Sequence, residues 1–199
     1  MLSRRLGTAC LALLLAVLLG GCMASQNPVG PLSEAVNDER LLGSWRSDKT
    51  GETEFVHVLR RNGASDLAME IVVANQENGW LVFRGHVTTV GDGRYISAKL
   101  VTADDGTLEE VGKSPVKDSH PYSFAAYKLE GDDTLIVATP IEAVHTAVAE
   151  GRLAGKTEGE YDVYVTDSSA NIAAFLGGLD DAKLFTDPVR YSRVKSAVP

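Results

Sequence analysis

From Gly43 to Val101 the chain falls into short β-rich runs divided by turn residues, a rhythm that limits it to an antiparallel sheet that closes or folds over. Gly43-Ser44-Trp45-Arg46 opens the first run, and Lys49-Thr50-Gly51-Glu52 turns it. Glu54 to Arg60 alternates as a second strand, followed by a turn at Arg61-Asn62-Gly63. On a third, Leu67, Met69, Ile71 and Val73 share one face while Glu70 belongs to the other. Asn75 to Gly79 ends in Asn-Gly and reads as a hairpin loop. Trp80 to Val90 follows, with Gly85 expected to mark a bulge or bend, and Gly91-Asp92-Gly93 turns into Arg94 to Val101.

Residues 102–121 break this rhythm, and a connection of that length in a small domain is either functional, as a lid or partner-contact loop, or disordered. The sheet resumes over Tyr122 to Leu129 and Thr134 to Thr139, with a turn at Glu130-Gly131-Asp132-Asp133. Thr139, Pro140 and Glu142 stand at the N-cap, first and third positions of a helix in which hydroxyl and carboxylate can satisfy orphan amides reciprocally. Ile141, Val144 and Val148 form its apolar stripe and Gly151 its stop. Arg152 to Gly159 reads as loop and Tyr161 to Thr166 as strand. Asp167 or Ser168 then caps a second helix with Ile172, Phe175, Leu176 and Leu179 on its buried side, ended by Gly177-Gly178 or the acidic pair beyond. Phe185 is a core candidate, Pro188 a break, and Val189 to Val194 a closing strand. The expected fold is mainly β with minor α: an antiparallel barrel or strongly bent sheet of about eight strands, with two short late helices.

Gly43-Ser44-Trp45 resembles the Gly-X-Trp signature that opens the first strand of lipocalins. The resemblance implies that Arg190 or Arg193, near the C-terminus, is the arginine that stacks on Trp45 and closes one end of the barrel, a contact worth about 0.5 to 2 kcal/mol. The helix between Thr139 and Tyr161 departs from that family's pattern. The run from Tyr122 through Gly155 is similar to uncharacterised bacterial lipoproteins of lipocalin-like type.

The N-terminus has the order of a secretory signal: Arg4 and Arg5, an apolar run from Leu6 to Leu19, then small residues. The run is too short for a spanning helix, which needs about 20 apolar residues. Leu19-Gly20-Gly21-Cys22 resembles a lipobox, which implies cleavage after Gly21, a diacylglycerol on the Cys22 sulfur and an acyl chain on the freed amine, with no other cofactor. Cys10, the only other cysteine, lies in the segment to be removed, so Cys22 has no disulfide partner. Met23, in place of an Asp, favours by the same resemblance the periplasmic leaflet of the outer membrane. Residues 1–21 are thus read as signal, 22–31 as a lipidated tether because Ala24 to Pro31 is small, polar and proline-broken, and 32–199 as one domain. Ser33 is expected to cap a helical turn running towards Leu41.

Removing 21 residues leaves 178, ample for one core. Taking Arg4 and Arg5 from the 19 basic residues, against 27 acidic ones, leaves a formal charge of −10. Nucleic acid and anionic lipid both require basic clusters that the sequence lacks, so membrane contact is expected through the lipid alone.

Catalytic signals are sparse. His57, His86, His120 and His145 are widely separated and match no metal spacing, and no Gly-x-Ser-x-Gly elbow is present. His145 is expected to face solvent. Asp104-Asp105, Asp132-Asp133 and Asp180-Asp181 lack the spacing of a calcium loop and read as turn and cap residues. Two non-enzymatic functions follow. In the first, Phe55, His57, Met69, Ile71, Phe83 and Tyr95 line a barrel interior that encloses a small apolar or amphipathic ligand. In the second, the 102–121 loop or a strand edge docks another envelope protein.

Overall fold

Met69, Ile71 and Val73 alternate with Glu70, Val72 and Ala74, and the pleat sends the two sets to opposite faces. The computed structural model describes residues 23–49, 53–60, 69–75, 79–103, 121–159 and 162–195. Its strands are β1 (Met23–Ser25), β2 (Ala35–Val36), β3 (Gly43–Ser47), β4 (Glu54–Arg60), β5 (Met69–Asn75), β6 (Gly79–Val90), β7 (Gly93–Ala103), β8 (Tyr122–Glu130), β9 (Thr134–Ala138), β10 (Gly155–Glu158), β11 (Asp162–Val165) and β12 (Val189–Arg193). The helices are α1 (Ile141–Ala149), α2 (Ser169–Gly177) and α3 (Asp181–Leu184).

Strands β3 to β8 form an antiparallel meander, and β8 also pairs with β9, which pairs with β12, which returns to β3. The sheet therefore closes into an eight-stranded, lipocalin-like barrel. Side chains from its own strands meet in its interior: Trp45, Val56, Val58, Met69, Ile71, Phe83, Tyr127, Leu135 and Tyr191 are all buried in one cluster. Burial of each aliphatic or aromatic side chain there contributes about 1.5 to 3 kcal/mol.

A second apolar cluster lies on the outer wall. Tyr95, Phe124 and Ala126 point away from the barrel and pack beneath α1, α2 and the strands β1 and β11, through Val144, Ile172, Leu176, Met23 and Val163. Strand β1 runs parallel to β11 and antiparallel to β8, extending the barrel wall into a side sheet that ends at β10.

Several local expectations require correction. Residues 24–31 are not a loose tether. Met23 and Ser25 are buried in β1, Val29 N donates to Ser97 Oγ at 2.9 Å, and Thr88 Oγ1 donates to Val29 O at 2.5 Å. Backbone pairing and two buried side-chain bonds outweigh a composition that looks linker-like. The single helical turn from Ser33 to Leu41 is two 3-10 turns, Leu32–Glu34 and Glu39–Leu41, separated by β2 on the edge of β6. Gly155-Lys156-Thr157-Glu158 is a strand and not a loop, because backbone pairing with β11 needs no apolar alternation at an exposed edge.

The irregularity expected at Gly85 sits instead between Val82 and Phe83, where Val101 is the extra residue of β7. Gly85 serves close approach: a Cβ there would stand 2.6 Å from Ser97 O. The N-cap of α1 is Pro140, one residue later than the Thr139 expected there, and it carries no side-chain cap bond. Ser168 does cap α2, its Oγ accepting from Asn171 N at 3.2 Å. Helix α3, absent from the sequence reading, starts on Asp180, whose Oδ1 accepts from Lys183 N at 3.0 Å.

Candidate functional site

The six residues expected to line the barrel do not converge. Met69, Ile71 and Phe83 point inward, into the buried apolar cluster of the barrel. Phe55 and His57 lie on the outer face of β4, because Val56 and Val58 take the inward positions. Their rings stack there at 6.4 Å and 10°, and His57 Nδ1 is 2.8 Å from Ser44 Oγ. Tyr95 is also turned outward, Ile96 and Ala98 filling the interior beside it.

That outward turn builds a different site. Tyr95 and Ala126 leave the barrel wall by strand alternation and form one side of a cavity of about 460 Å³. Leu176, Leu179, Leu184 and Phe185, from α2, α3 and the residues between and after them, supply the other side. The turn at Asp92, with Arg94 and Lys128, supplies polar groups. Tyr95 Oη donates to Leu176 O at 3.3 Å and ties wall to helix. Burial, then the Asp181 charge, pushes its pKa up to about 12, so the hydroxyl stays protonated.

Both cations of this cleft are already partnered. Lys128 Nζ lies 3.6 Å from Asp181 Oδ2 and 4.4 Å from the centre of the Phe185 ring. Arg94 donates to Asp38 at the neighbouring barrel end. Two cations and the two carboxylates Asp92 and Asp181 leave the lining formally neutral. A second cavity of about 370 Å³ lies between α1 and α3 and shares Leu179.

Asp38 organises the barrel end beside the cleft. Its carboxylate accepts from Tyr127 Oη at 3.0 Å, from Arg40 Nε at 3.1 Å and from Arg94. Burial raises its pKa, but the hydrogen bonds from Arg40 and Tyr127, with the Arg94 and Arg40 charges, outweigh that and hold it below the ordinary carboxylate range. Trp45 Nε1 donates to Leu41 O at 2.8 Å, and Arg193 covers the Trp45 ring. Arg190 does not share that role; it pairs with Glu130 at 2.9 Å on the exposed surface.

Two histidines carry unpartnered buried atoms. His86, on the outer face of β6, meets the Tyr122 ring edge-on at 6.4 Å, and its Nε2 has no hydrogen-bond partner. The Nε2 of His145 is likewise buried without a partner, so its ring tip does not face solvent as expected. His120, Cys22 and most of the 102–121 stretch lie outside the described residues. Among the described residues, no group of three or more His, Cys, Asp or Glu is placed to hold a metal ion.

Sequence reasoning missed Ala126, Leu184, Asp92 and the role of Asp38. The available signal was the parity of β8, where Phe124, Ala126 and Lys128 alternate with Ala125, Tyr127 and Leu129. The fold and site thus define a class: a closed antiparallel barrel with a buried apolar interior and an amphipathic cleft on its outer wall. No family model, curated protein or solved structure matches the chain.

Proposed function

We propose that this protein is a periplasmic lipoprotein, held by diacylglycerol and an acyl chain on Cys22, whose barrel carries a non-enzymatic site for one small amphipathic molecule. Anchoring at the outer membrane follows from the Leu19-Gly20-Gly21-Cys22 motif and Met23. The ligand site is the cleft under α2 and α3, not the barrel interior. The observation that carries this reading is a cavity of about 460 Å³ whose apolar walls are rimmed by two cations and two carboxylates, a formally neutral set. Such a lining favours an uncharged or zwitterionic ligand, since a net-charged one would lose hydration without finding an uncompensated counter-charge.

The test uses the mature chain bearing Cys22→Ser behind an ordinary secretory signal, titrated with the neutral, environment-sensitive probe N-phenyl-1-naphthylamine. Saturable one-to-one enhancement is expected, with loss of that signal in Leu179→Trp, which fills the cleft. Enhancement that Leu179→Trp leaves intact, or none at all, would remove the site. Intact mass of the protein from a lipoprotein-processing bacterium tests the anchor, and a bare Cys22 thiol would remove that part.

A second reading, docking of another envelope protein, is favoured by one observation. Among the described residues β10 ends the sheet, its other edge unpaired, and backbone groups on such an edge can accept a strand from a partner.

A further inference from the structure

We infer that the outer face of the β1–β11–β10 sheet lies against the bilayer, so that the protein has one fixed orientation on its membrane. This rests on the lipid anchor proposed above and goes beyond it. A flexible leader of ten residues, 22–31, would span about 17 Å on average and let the body tumble. The structure removes that slack. Met23 is 1% exposed and pairs with Val163, Ala24 pairs with Tyr164, and Ser25 pairs with both Val165 and Tyr122. Gln26 N donates to Val165 O at 2.8 Å, and Asn27 Nδ2 to Asp167 O at 2.8 Å. The Cα of a residue bonded to Met23 is about 3.8 Å from Met23 Cα. A lipid carried there brings β1 itself to the membrane surface.

The pleat then selects the face. Met23, Ser25, Val163 and Val165 are buried on the core side, whereas Ala24, Tyr164 and Lys156 form one register row on the outer side. Tyr164 is 41% exposed, one of the few large apolar side chains in the described chain that solvent reaches. An amphipathic ring on that row suits the headgroup layer, and the Lys156 stem can lie along the same layer with its ammonium in water. Glu158 and Asp162, at the Met23 end of β10 and β11, are exposed on the same face. One cation against two carboxylates gives no attraction to anionic lipid. The contact is set by the short leash, so zwitterionic lipid suffices.

The test places a nitroxide on the full, lipid-processed protein in phosphatidylcholine vesicles, at Tyr164→Cys in one sample and Leu59→Cys in another. Leu59 is exposed on β4, four strands from β8 in either direction around the ring, and so on the opposite wall. Relaxation by a water-soluble nickel chelate is expected to fall several-fold at 164 on vesicle attachment and to stay unchanged at 59. A ten-residue Gly/Ser insertion between Cys22 and Met23 is expected to return 164 to full relaxation. Equal relaxation at the two sites, with intact mass confirming the lipid, would overturn the orientation and leave the anchor standing. Shielding at 164 that survives the insertion would also overturn it, and a bare thiol at Cys22 would overturn both.

Discussion

The guanidinium carbon of Arg193 lies 4.0 Å from the centre of the Trp45 ring, the last residue of β12 covering the third residue of β3. The same side chain donates to Leu42 O at 2.8 Å, to Asp132 O at 2.7 Å and to Arg40 O. One residue therefore joins the first barrel strand, the 3-10 turn that plugs the end and the β8–β9 turn. Arg193→Met is expected to cost about 2 to 3 kcal/mol, read from the urea midpoint at constant slope. Arg193→Lys should recover less than half, because a single ammonium cannot span three carbonyls in a planar fork.

Gly43 makes room for this contact. Its φ is +124°, and a Cβ there would stand 2.9 Å from the nearer Arg193 terminal nitrogen. Gly43→Ala is expected to lose about 1 to 3 kcal/mol through backbone strain and displacement of the arginine. Near-ultraviolet dichroism of Trp45 should weaken in the same variant.

Asp38 gives the barrel end an acid limit. Its folded pKa is depressed by Arg40, Tyr127 and Arg94 despite burial, so its contribution is present above the unfolded carboxylate pKa of about 3.9. That contribution is lost as pH falls through the lower folded value. Asp38→Asn should cost about 1 to 3 kcal/mol at neutral pH, discounted because Arg40 and Arg94 are partly exposed. Urea titrations from pH 6 down to 2 should show a flatter acid limb in the variant.

His86 acts in a higher window. Burial lowers its folded pKa below the unfolded value of about 6.5, so the unfolded chain binds the extra proton first. Stability should be full above that value and decline as pH falls from it to the folded pKa. His86→Phe removes a buried nitrogen that has no partner, and is expected to change stability at pH 8 by less than about 1 kcal/mol. It should also abolish the decline below pH 6.5, and a thermal melt series across pH 5 to 8 reads both effects.

Tyr95 fastens α2 to the barrel wall. Tyr95→Phe deletes its bond to Leu176 O and should cost about 1 kcal/mol. Amides of α2 should exchange hydrogen faster, by roughly fivefold on the same energy scale, while those of β7 and β8 keep their protection.

Much of the fold was legible. Glu54 to Arg60 occupies the same span in sequence reading and structure, and the strands near Trp80, Arg94, Tyr122, Thr134 and Val189 differ only at their ends. The inward set Met69, Ile71, Val73 was readable because polar Glu70 marks the opposite face. Strand β4 offered no such marker: Phe55, His57 and Leu59 compete with Val56 and Val58, and both parities are substantially apolar. Val56 and Val58 take the inward positions, in one buried cluster with Trp45 and Tyr191. The external cleft was illegible for a related reason, since its lining comes from separated segments that approach only after the barrel has closed.

Alternation and turn chemistry are local, so residues a few positions apart sufficed to place most strands and the two longer helices. Closure through β9 and β12, the choice of Arg193 over Arg190 above Trp45, and the conversion of residues 23–25 from linker to buried strand were decided only by the tertiary structure. Each depends on partners roughly 50 to 150 residues away whose backbone groups and volumes exist as neighbours only in the folded chain.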